Sequence, residues 1–210
     1  MSDHSRKRNN CMPRPAKFVR TEAVARALEV FWQRGYHATS LKDLETALSM
    51  RPGSIYAAFG SKAGLFDEVL SHYAEQSLVL LRQKLLNHPS AMQGLREYLH
   101  SLANLGVREP AECACMLVKT MLELASTEPQ LSARADDYLA AMENVFCEVF
   151  MAAMQQNELE KDADPRFLAQ QLQVAIFGLR VFSQRQTSPM RVRLLAEQIA
   201  NQFTQVDKIA

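Results

Sequence analysis

The chain has 210 residues, of which 48% are hydrophobic and 22% charged, and it contains only seven Gly and eight Pro. This composition suits a globular protein with a buried core and excludes collagen-like, fibrous and low-complexity chains. No uncharged apolar run approaches the roughly 18 residues of a membrane span, the N-terminus lacks the apolar stretch of a secretory signal, and the four Cys are too few for a disulfide framework. We therefore expect a cytoplasmic protein with free thiols and no membrane partner.

Positive charge is concentrated at the N-terminal end. Residues 1–62 carry 11 Lys and Arg against 5 Asp and Glu, whereas residues 63–210 carry 13 against 18. This asymmetry predicts that the first third of the chain meets a polyanion. Lys17 and Arg20 belong to a cluster of basic residues ahead of the first clear helix, so we expect a basic arm over residues 1–19 that adds contacts to the same partner. A solvated tail is the alternative for the arm.

Three small helices are predicted after the arm. Apolar residues at 24, 27, 28 and 31 share one helical face, and Gly35 suits the left-handed residue that ends such a helix. Ser40 and Asp43 have the spacing of a capping box at the start of a second helix. Pro52 is suited to the first turn of a third, short helix, and Ser61 can cap the helix after it.

Longer helices are predicted for the rest of the chain, with prolines at most of the joints between them. They run from about 62 to 86, 90 to 105, 111 to 125 and 130 to 156, and two more begin near 165 and 189. No stretch shows the period-two alternation of a strand. The predicted fold is therefore all-α, with a three-helix helix-turn-helix unit over residues 20–64 and a larger helical domain over 65–210.

Two short helices joined by a tight turn, behind a basic arm, have the proportions of a helix-turn-helix. The second helix, 52–59, carries Ile55 and Phe59 on the side that would face the other helices. Its other side offers small and hydroxyl-bearing residues, which can approach a groove floor and reach phosphates or base edges. Lys62, at the start of the next helix, is positioned for a backbone phosphate. The candidates on the second helix and its lead-in are Arg51, Gly53, Ser54 and Tyr56.

This part of the chain resembles the TetR family of bacterial transcriptional regulators. The run RGYHATSLKDL at 34–44 is similar to the exit of that family's first helix and the start of its second, and SIYAAFGSK at 54–62 is similar to its recognition helix. The resemblance is specific over about residues 20–70, while length and helix number agree through the C-terminus. Ser49 stands where the family often has Gly, and Pro52 where a polar or basic residue is common.

The resemblance implies a sequence-specific DNA-binding regulator rather than an enzyme, most often a repressor that an effector releases from a palindromic operator. It also implies that the partner is double-stranded DNA and that the protein needs no cofactor or metal. The residues that it places at the DNA are Ser40, Arg51, Gly53, Ser54, Tyr56 and Lys62.

Two later helices offer a surface for a homodimer, which a helix-turn-helix protein uses to span two half-sites. Apolar residues form two stripes on helix 130–156 and recur on helix 165–183, so these helices bury more than one side. The resemblance favours a four-helix bundle built from these two helices of each subunit, and interior helices of a monomer are the alternative. The expected interface residues are Met142, Val145, Val149, Leu168, Leu172, Ile176 and Leu179.

In the family, the helices between 62 and 125 surround an effector cavity. Candidates that would face it form a mostly apolar set with a little polarity, as in ligand pockets, although Met and aromatic residues at helical spacing also fit plain core. They are Tyr98, Leu102, Met116, Thr120 and Met121. The sequence does not identify the small-molecule effector.

The run CMLVK at 115–119 resembles a segment of the N-ethylmaleimide repressor branch, in which the Cys senses electrophiles. Cys113 and Cys115 would lie about 200° apart on a helix, which prevents an easy disulfide between them. Lys119, one turn beyond Cys115, would stabilise a thiolate. Both Cys are therefore candidates for redox sensing, and inert buried thiols are the alternative. We expect Cys147 to serve packing.

Other classes of protein are weaker interpretations. The sequence has no P-loop, dinucleotide-binding glycine turn, Gly-x-Ser-x-Gly or His-Glu-x-x-His motif, and none of its five His has ligand spacing to the Cys. A thiol-based redox or metal-binding helical protein and a nonspecific architectural DNA-binding protein remain alternatives. The latter would bind without operator preference and with strong salt dependence throughout.

Overall fold

The computed structural model describes residues 16–107, 115–185 and 187–204, and within them it describes the side chains of 20–104, 115–185 and 187–204. All regular structure in these ranges is helical. The α-helices are α1 (Ala16–Arg34), α2 (Leu41–Leu48), α3 (Pro52–Phe59), α4 (Lys62–Leu86), α5 (Ala91–Ser101), α6 (Met116–Leu124), α7 (Pro129–Gln155), α8 (Pro165–Ser183) and α9 (Pro189–Thr204), and a 3₁₀ segment (Leu102–Val107) follows α5. None of the described helices is long and apolar enough to cross a membrane.

The predicted helix ends of the N-terminal unit are confirmed. Gly35 follows α1 with φ +80° and donates its N–H to Phe31 at 2.8 Å. Ser40 and Asp43 form the capping box of α2 in both directions. Pro52 is the first residue of α3, and the Ser61 hydroxyl accepts from the Gly64 N–H at 3.0 Å ahead of α4. These local signals define the helix-turn-helix because each satisfies backbone groups that a helix end leaves without partners.

Two predicted helices are shorter than expected. The helix predicted over 90–105 is wrong at its end, because α5 stops at Ser101 and continues as the tighter 3₁₀ segment, which contains Asn104 and Gly106. The helix predicted over 111–125 starts at Met116, and Cys115 is extended, with φ −75° and ψ 117°. Cys113 lies outside the described residues. The helical relation expected between Cys113 and Cys115 therefore does not hold, because Cys115 is not helical.

Two hydrophobic cores run along the molecule, joined by long helices. The N-terminal core gathers α1, α2, α3 and the first half of α4 together with α6 and the first half of α7. The C-terminal core gathers the rest of α4, α5, the second half of α7, α8 and α9. The 25 residues of α4 and the 27 of α7 reach from one core to the other. The helix-turn-helix thus shares a core with α6, so the larger domain contacts the DNA-binding unit directly.

Candidate nucleic-acid interface and effector region

The predicted contact residues of α3 lie together on an outward face. Ile55 and Phe59 point inward and are 1% and 7% exposed, because they are one turn apart on the same side of the helix. Tyr56 is 50% exposed, and a Cβ added at Gly53 would meet nothing within 4 Å. Arg51 and Ser54 are also exposed. This face combines small, hydroxyl and cationic groups, which suits close approach to a nucleic-acid groove.

The turn between α2 and α3 requires a left-handed residue. Ser49 takes this position with φ +52°, and its N–H donates to carbonyl oxygens in the last turn of α2. A glycine is the residue that adopts this conformation without strain. Ser49, which stands where the resemblance expects Gly, therefore adopts a conformation that suits Gly.

Ser40 is exposed, but its hydroxyl is already engaged. It donates to Asp43 Oδ2 at 2.6 Å and accepts from the Asp43 N–H at 3.2 Å. Arg34 adds a contact of 2.5 Å to Asp43 Oδ1. The hydrogen bonds from Ser40, and then the contact with Arg34, lower the pKa of the Asp43 carboxyl. Ser40 thus fixes the N-terminus of α2, and its role at the DNA stays a prediction.

The angle between α3 and α4 depends on Gly64. A Cβ at this position would collide with the carbonyl oxygen of Phe59 at the end of α3. Because the obstacle is backbone, it cannot be relieved by rotation of a side chain. The absence of a side chain at Gly64 therefore allows α3 to pack closely against the start of α4.

Arg20 occupies a structural contact in α1. Its Nε donates to Glu68 Oε2 at 2.9 Å, its Nη1 donates to the Ala58 carbonyl at 2.6 Å, and its guanidinium lies 4.8 Å from the centre of the Phe59 ring. These contacts, together with one from its Nη2 to Glu68 Oε1, tie α1 to α3 and α4, and the role expected of Arg20 at the DNA stays a prediction. Lys17 lies in α1, and its side chain is outside the described part of the chain.

Lys62 lies at the junction between the helix-turn-helix and the larger domain. Its Nζ is 4.4 Å from the centre of the Tyr36 ring, and the side chain is half-buried. Burial lowers the pKa of the Lys62 ammonium, and the carboxylates of Glu123 and Glu128 act in the opposite direction. The lysine expected at a phosphate is thus surrounded here by groups of its own chain.

The same junction contains a hydrogen-bond network. The Tyr36 hydroxyl donates to Glu128 Oε1 at 2.8 Å, and the His37 N–H donates to Glu123 Oε1 at 3.2 Å. His37 Nε2 lies 3.0 Å from Thr127 Oγ1. Burial, followed by the Glu128 carboxylate, raises the pKa of the Tyr36 phenol. Residues at the end of α6 and just before α7 therefore form hydrogen bonds with the segment that leads from α1 into α2.

A small cavity lies inside this junction. Its volume is about 10 Å³, enough for a single water molecule, and its lining includes Phe31, Trp32 and Thr120. The Trp32 indole N–H is buried without a hydrogen-bond partner. The ring of Trp32, the only Trp of the chain, meets Tyr73 edge to face at 5.0 Å.

The five residues predicted to face one effector cavity lie in two parts of the core. Tyr98 and Leu102 belong to the C-terminal core, Met116 and Met121 belong to the N-terminal core, and Thr120 lines a small cavity beside Met116. A single cavity lined by all five stays a prediction, and Tyr98 interacts with Cys115 just before α6. Leu102, Met116 and Thr120 are each no more than 5% exposed.

A polar group of residues surrounds Cys115 instead. Burial raises the pKa values of the Tyr73 and Tyr98 phenols; the Cys115 thiol acts in the same direction on both, and the Arg180 guanidinium opposes it. Arg180 hydrogen-bonds the Tyr98 phenol, and the two phenols, the thiol and the guanidinium interact electrostatically among α4, α5, α6 and α8. The sequence prediction missed Tyr73 and Arg180. The available signal was Arg180, a charged residue among the apolar positions of α8.

The environment of Cys115 differs from the one expected in a helix. The thiol is half-buried just before α6. Lys119, expected to support its thiolate, has its ammonium near Gly35, where an added Cβ would lie 3.4 Å from Nζ. Arg180 is therefore the cation associated with this thiol region. Cys147 is buried in the C-terminal core, in agreement with a packing role. Across the described ranges, no group of three or more His, Cys, Asp and Glu is arranged to hold a metal ion.

Five of the seven residues expected at the dimer interface face the interior of the protomer. Val145, Val149, Leu172, Ile176 and Leu179 are at most 4% exposed within one protomer, because they form its C-terminal core. They cannot contact a second subunit without unpacking that core. Of the seven expected residues, Met142 and Leu168 are half-buried at its edge.

A different face of α8 is apolar and uncovered. Phe167, Val174 and Val181 recur every seven residues and are 56%, 69% and 63% exposed. Gly178 lies on the same stripe, and a Cβ there would meet nothing within 4 Å. On α7, Met151 is also exposed, at 49%. A heptad-spaced stripe with a glycine is typical of a helix that packs closely against another helix.

Two family models and two curated relatives match most of the chain. Residues 23–69 match the family model for bacterial regulatory proteins of the tetR family, and residues 91–199 match the one for the tetracyclin repressor-like C-terminal domain. The transcriptional repressor BdcR of Escherichia coli is 31% identical over 139 residues, which are 66% of this chain and 69% of BdcR. The repressor ComR of the same organism is 26% identical over 184 residues, which are 87% of this chain and 88% of ComR.

Solved structures are also similar to this chain over most of its length. A cysteine mutant of the TetR family transcriptional regulator CifR, complexed with a 26-bp double-strand operator DNA, has 32% identity and a TM-score of 0.75, with 90% of this chain and 98% of CifR covered. The reduced form of Escherichia coli NemR has a TM-score of 0.79 at 17% identity, with 88% of this chain and 96% of NemR covered. At that identity the likeness concerns the fold alone.

Proposed function

The chain belongs to the TetR family of bacterial regulatory proteins, and we propose that it binds operator DNA as a homodimer and represses transcription until an effector releases it. The observation that carries this proposal is the outward face of α3, where Arg51, Gly53, Ser54 and Tyr56 are exposed together while Ile55 and Phe59 anchor the helix. A relative of 32% identity, CifR, is itself complexed with double-strand operator DNA. A regulator of this kind acts in the cytoplasm, and its chemistry is binding rather than catalysis.

We assign DNA contacts to α3 and to its flanks. Tyr56 and Ser54 have hydroxyls for base edges or phosphates, and Arg51 is suited to either a phosphate or a guanine. Ser40 and Lys62 flank this face at the starts of α2 and α4. The basic residues before α1 add phosphate contacts. The division into an arm over 1–19, whose last four residues begin α1, a DNA-binding unit over 20–64 and an effector and dimerisation domain over 65–210 is part of the proposal.

Dimerisation follows from the geometry of DNA reading. One recognition helix contacts a few base pairs, so specificity requires two helices in half-sites about 34 Å apart, one turn of B-DNA. We propose the uncovered stripe of α8, with Phe167, Val174 and Val181, as the centre of the two-fold interface. The exposed Met151 of α7 extends this surface, so that α7 and α8 of both subunits would form a four-helix bundle.

The effector site is proposed around Cys115. Tyr73, Tyr98 and Arg180 offer two phenols and a guanidinium at the start of α6, and α6 connects this region to the helix-turn-helix. Two kinds of effector fit these groups. A reversible ligand would hydrogen-bond the phenols and guanidinium, and a thiol-reactive compound would modify Cys115. Either can shift the protein only by the difference in its affinity for the two states.

A mobility-shift titration on the DNA upstream of its own gene tests the proposal. It is run with excess competitor DNA at fixed salt, before and after alkylation with N-ethylmaleimide, and repeated with a Cys115→Ser variant. Specific binding supports the regulator, and its loss on alkylation only when Cys115 is present identifies a thiol sensor. Specific binding that alkylation leaves unchanged favours the reversible ligand. Binding with no preference over competitor, there and in a genome-wide selection, would contradict a sequence-specific regulator.

A further inference from the structure

Lys62 interacts electrostatically with two carboxylates of the larger domain. Its ammonium lies over the Tyr36 ring, 4.4 Å from the ring centre, and the carboxylates of Glu123 and Glu128 favour its charged form. Glu123 lies in the last turn of α6, and Glu128 precedes the first residue of α7. The positive charge at the edge of the α3 face is therefore partly compensated from outside the helix-turn-helix.

Both carboxylates are held in place by the segment that precedes α2. Glu128 Oε1 accepts from the Tyr36 hydroxyl at 2.8 Å, and Glu123 Oε1 accepts from the His37 N–H at 3.2 Å. Each of these hydrogen bonds is accepted by Oε1 of its carboxylate. A fixed pair of anionic oxygens beside a lysine resembles in charge and acceptor chemistry what a DNA phosphate would present to the same lysine.

We propose that Glu123 and Glu128 compete with DNA phosphates for Lys62, so that the larger domain restrains the DNA-binding unit through an autoinhibitory contact. The inference rests on the proposed phosphate contact of Lys62. On binding, the ammonium exchanges the two carboxylates for a phosphate, and the net gain of that contact is reduced accordingly. The nine residues of α6 extend about 14 Å from Cys115 to this contact. An effector that holds α6 in the described position keeps Lys62 occupied.

Phosphate contacts carry no sequence information, so the test does not depend on knowing the operator. Affinity for a short mixed-sequence duplex labelled with fluorescein is measured by anisotropy over a series of salt concentrations. The variant carries Glu123→Gln and Glu128→Gln, because each glutamine keeps an oxygen that accepts from Tyr36 or His37 and loses only the charge. We expect binding to tighten about three- to tenfold, the size of partly exposed charge interactions.

Two controls separate this contact from a general change in charge. The pair Glu29→Gln and Glu75→Gln removes two exposed carboxylates from α1 and α4 and changes the net charge equally. The third protein combines Glu123→Gln and Glu128→Gln with Lys62→Ala. The tightening should exceed that of the charge-matched pair and should disappear when Lys62 is absent. Single variants Glu123→Gln and Glu128→Gln give the same comparison if the double variant proves unstable in a thermal melt.

The inference is overturned if the double variant binds no more tightly than the charge-matched pair, or if its tightening persists without Lys62. Lys62→Ala alone should lower the slope of log K against log salt by about one. An unchanged slope together with unchanged affinity would remove the phosphate contact of Lys62, and the autoinhibitory contact with it. In that case specific operator binding through α3 would remain, which distinguishes this failure from failure of the regulator proposal.

Discussion

Replacing Gly53 by alanine is expected to stabilise the protein slightly and to weaken its binding to DNA. Gly53 is the second residue of α3, and a Cβ there meets nothing within 4 Å. Alanine is favoured over glycine by up to about 1 kcal/mol inside a helix, and we take about half of that for a first turn. For a chain of this size, about 0.5 kcal/mol corresponds to a rise in Tm of about 1–2 °C.

The same methyl group would project from the face that we propose enters the DNA groove. It would hold the helix away from the groove floor and lengthen the contacts of Ser54 and Tyr56, which flank it. Loss of one good base contact amounts to about 1–3 kcal/mol. We therefore expect operator affinity to fall by about tenfold, or about 1.4 kcal/mol. Gain of stability and loss of binding in one variant is a combination that a misfolded protein cannot produce.

Gly64→Ala is the matched substitution with the opposite effect on stability. Its Cβ would collide with the Phe59 carbonyl oxygen, so α3 has to move away from α4. Overpacking of this kind costs about 1–3 kcal/mol, which lowers the Tm by several degrees. Circular dichroism melts and fluorescence anisotropy on the operator measure both properties. Operator binding by Gly53→Ala at the wild-type level would remove the α3 face from the DNA, and a wild-type Tm for Gly64→Ala would contradict the described packing of α3 on α4.

Three further results are expected. Val174→Asp places a charge on the uncovered stripe of α8 and should yield monomers by light scattering, whereas the control Leu194→Asp, at an apolar position of α9 that is also more than half exposed, should leave the dimer intact; a dimeric Val174→Asp would locate the interface elsewhere. Tyr36→Phe should lower the free energy of unfolding by about 1 kcal/mol at neutral pH, since it removes the donor to Glu128. Because the pKa of Tyr36 is raised above the ordinary 10.0, its phenol contributes stability below that pH which is lost as the pH rises further. Urea unfolding should therefore show wild type losing stability above about pH 10 faster than Tyr36→Phe, and parallel curves would contradict this. Wild-type protein alkylated with N-ethylmaleimide should lose operator binding and Cys115→Ser should not; equal behaviour of the two would reduce Cys115 to packing.

Local signals in the sequence predicted the helix-turn-helix because each depends on neighbouring residues. The capping box of Ser40 and Asp43, the left-handed Gly35, the first-turn Pro52 and the Ser61 cap all satisfy backbone groups within a few residues. Such interactions form in the same way wherever the segment is placed. The alternation of buried Ile55 and Phe59 with exposed Tyr56 also followed from helical period alone.

The larger domain was predicted less well because an apolar stripe does not reveal what covers it. Val145 and Leu172 were expected at the interface, yet they fill the protomer's own core, and exposed Val174 lies on the opposite side of the same helix. A helix with apolar residues on several sides has more than one possible partner, and only the packed chain selects among them. For the same reason the sequence did not show that Tyr98 belongs to the C-terminal core and Met116 to the N-terminal core.

The sequence by itself determined the helices, the caps of the DNA-binding unit and the resemblance that identifies the family, since these depend on residues close together in the chain. The tertiary structure alone decided which faces are covered and which distant side chains meet. It brought Tyr73, Tyr98 and Arg180 to Cys115, and it joined Lys62 and Tyr36 to the carboxylate of Glu128. Tyr36 and Glu128 are 92 positions apart. No local period specifies such a pair, because its proximity results from the packing of α6 and α7 on the helix-turn-helix.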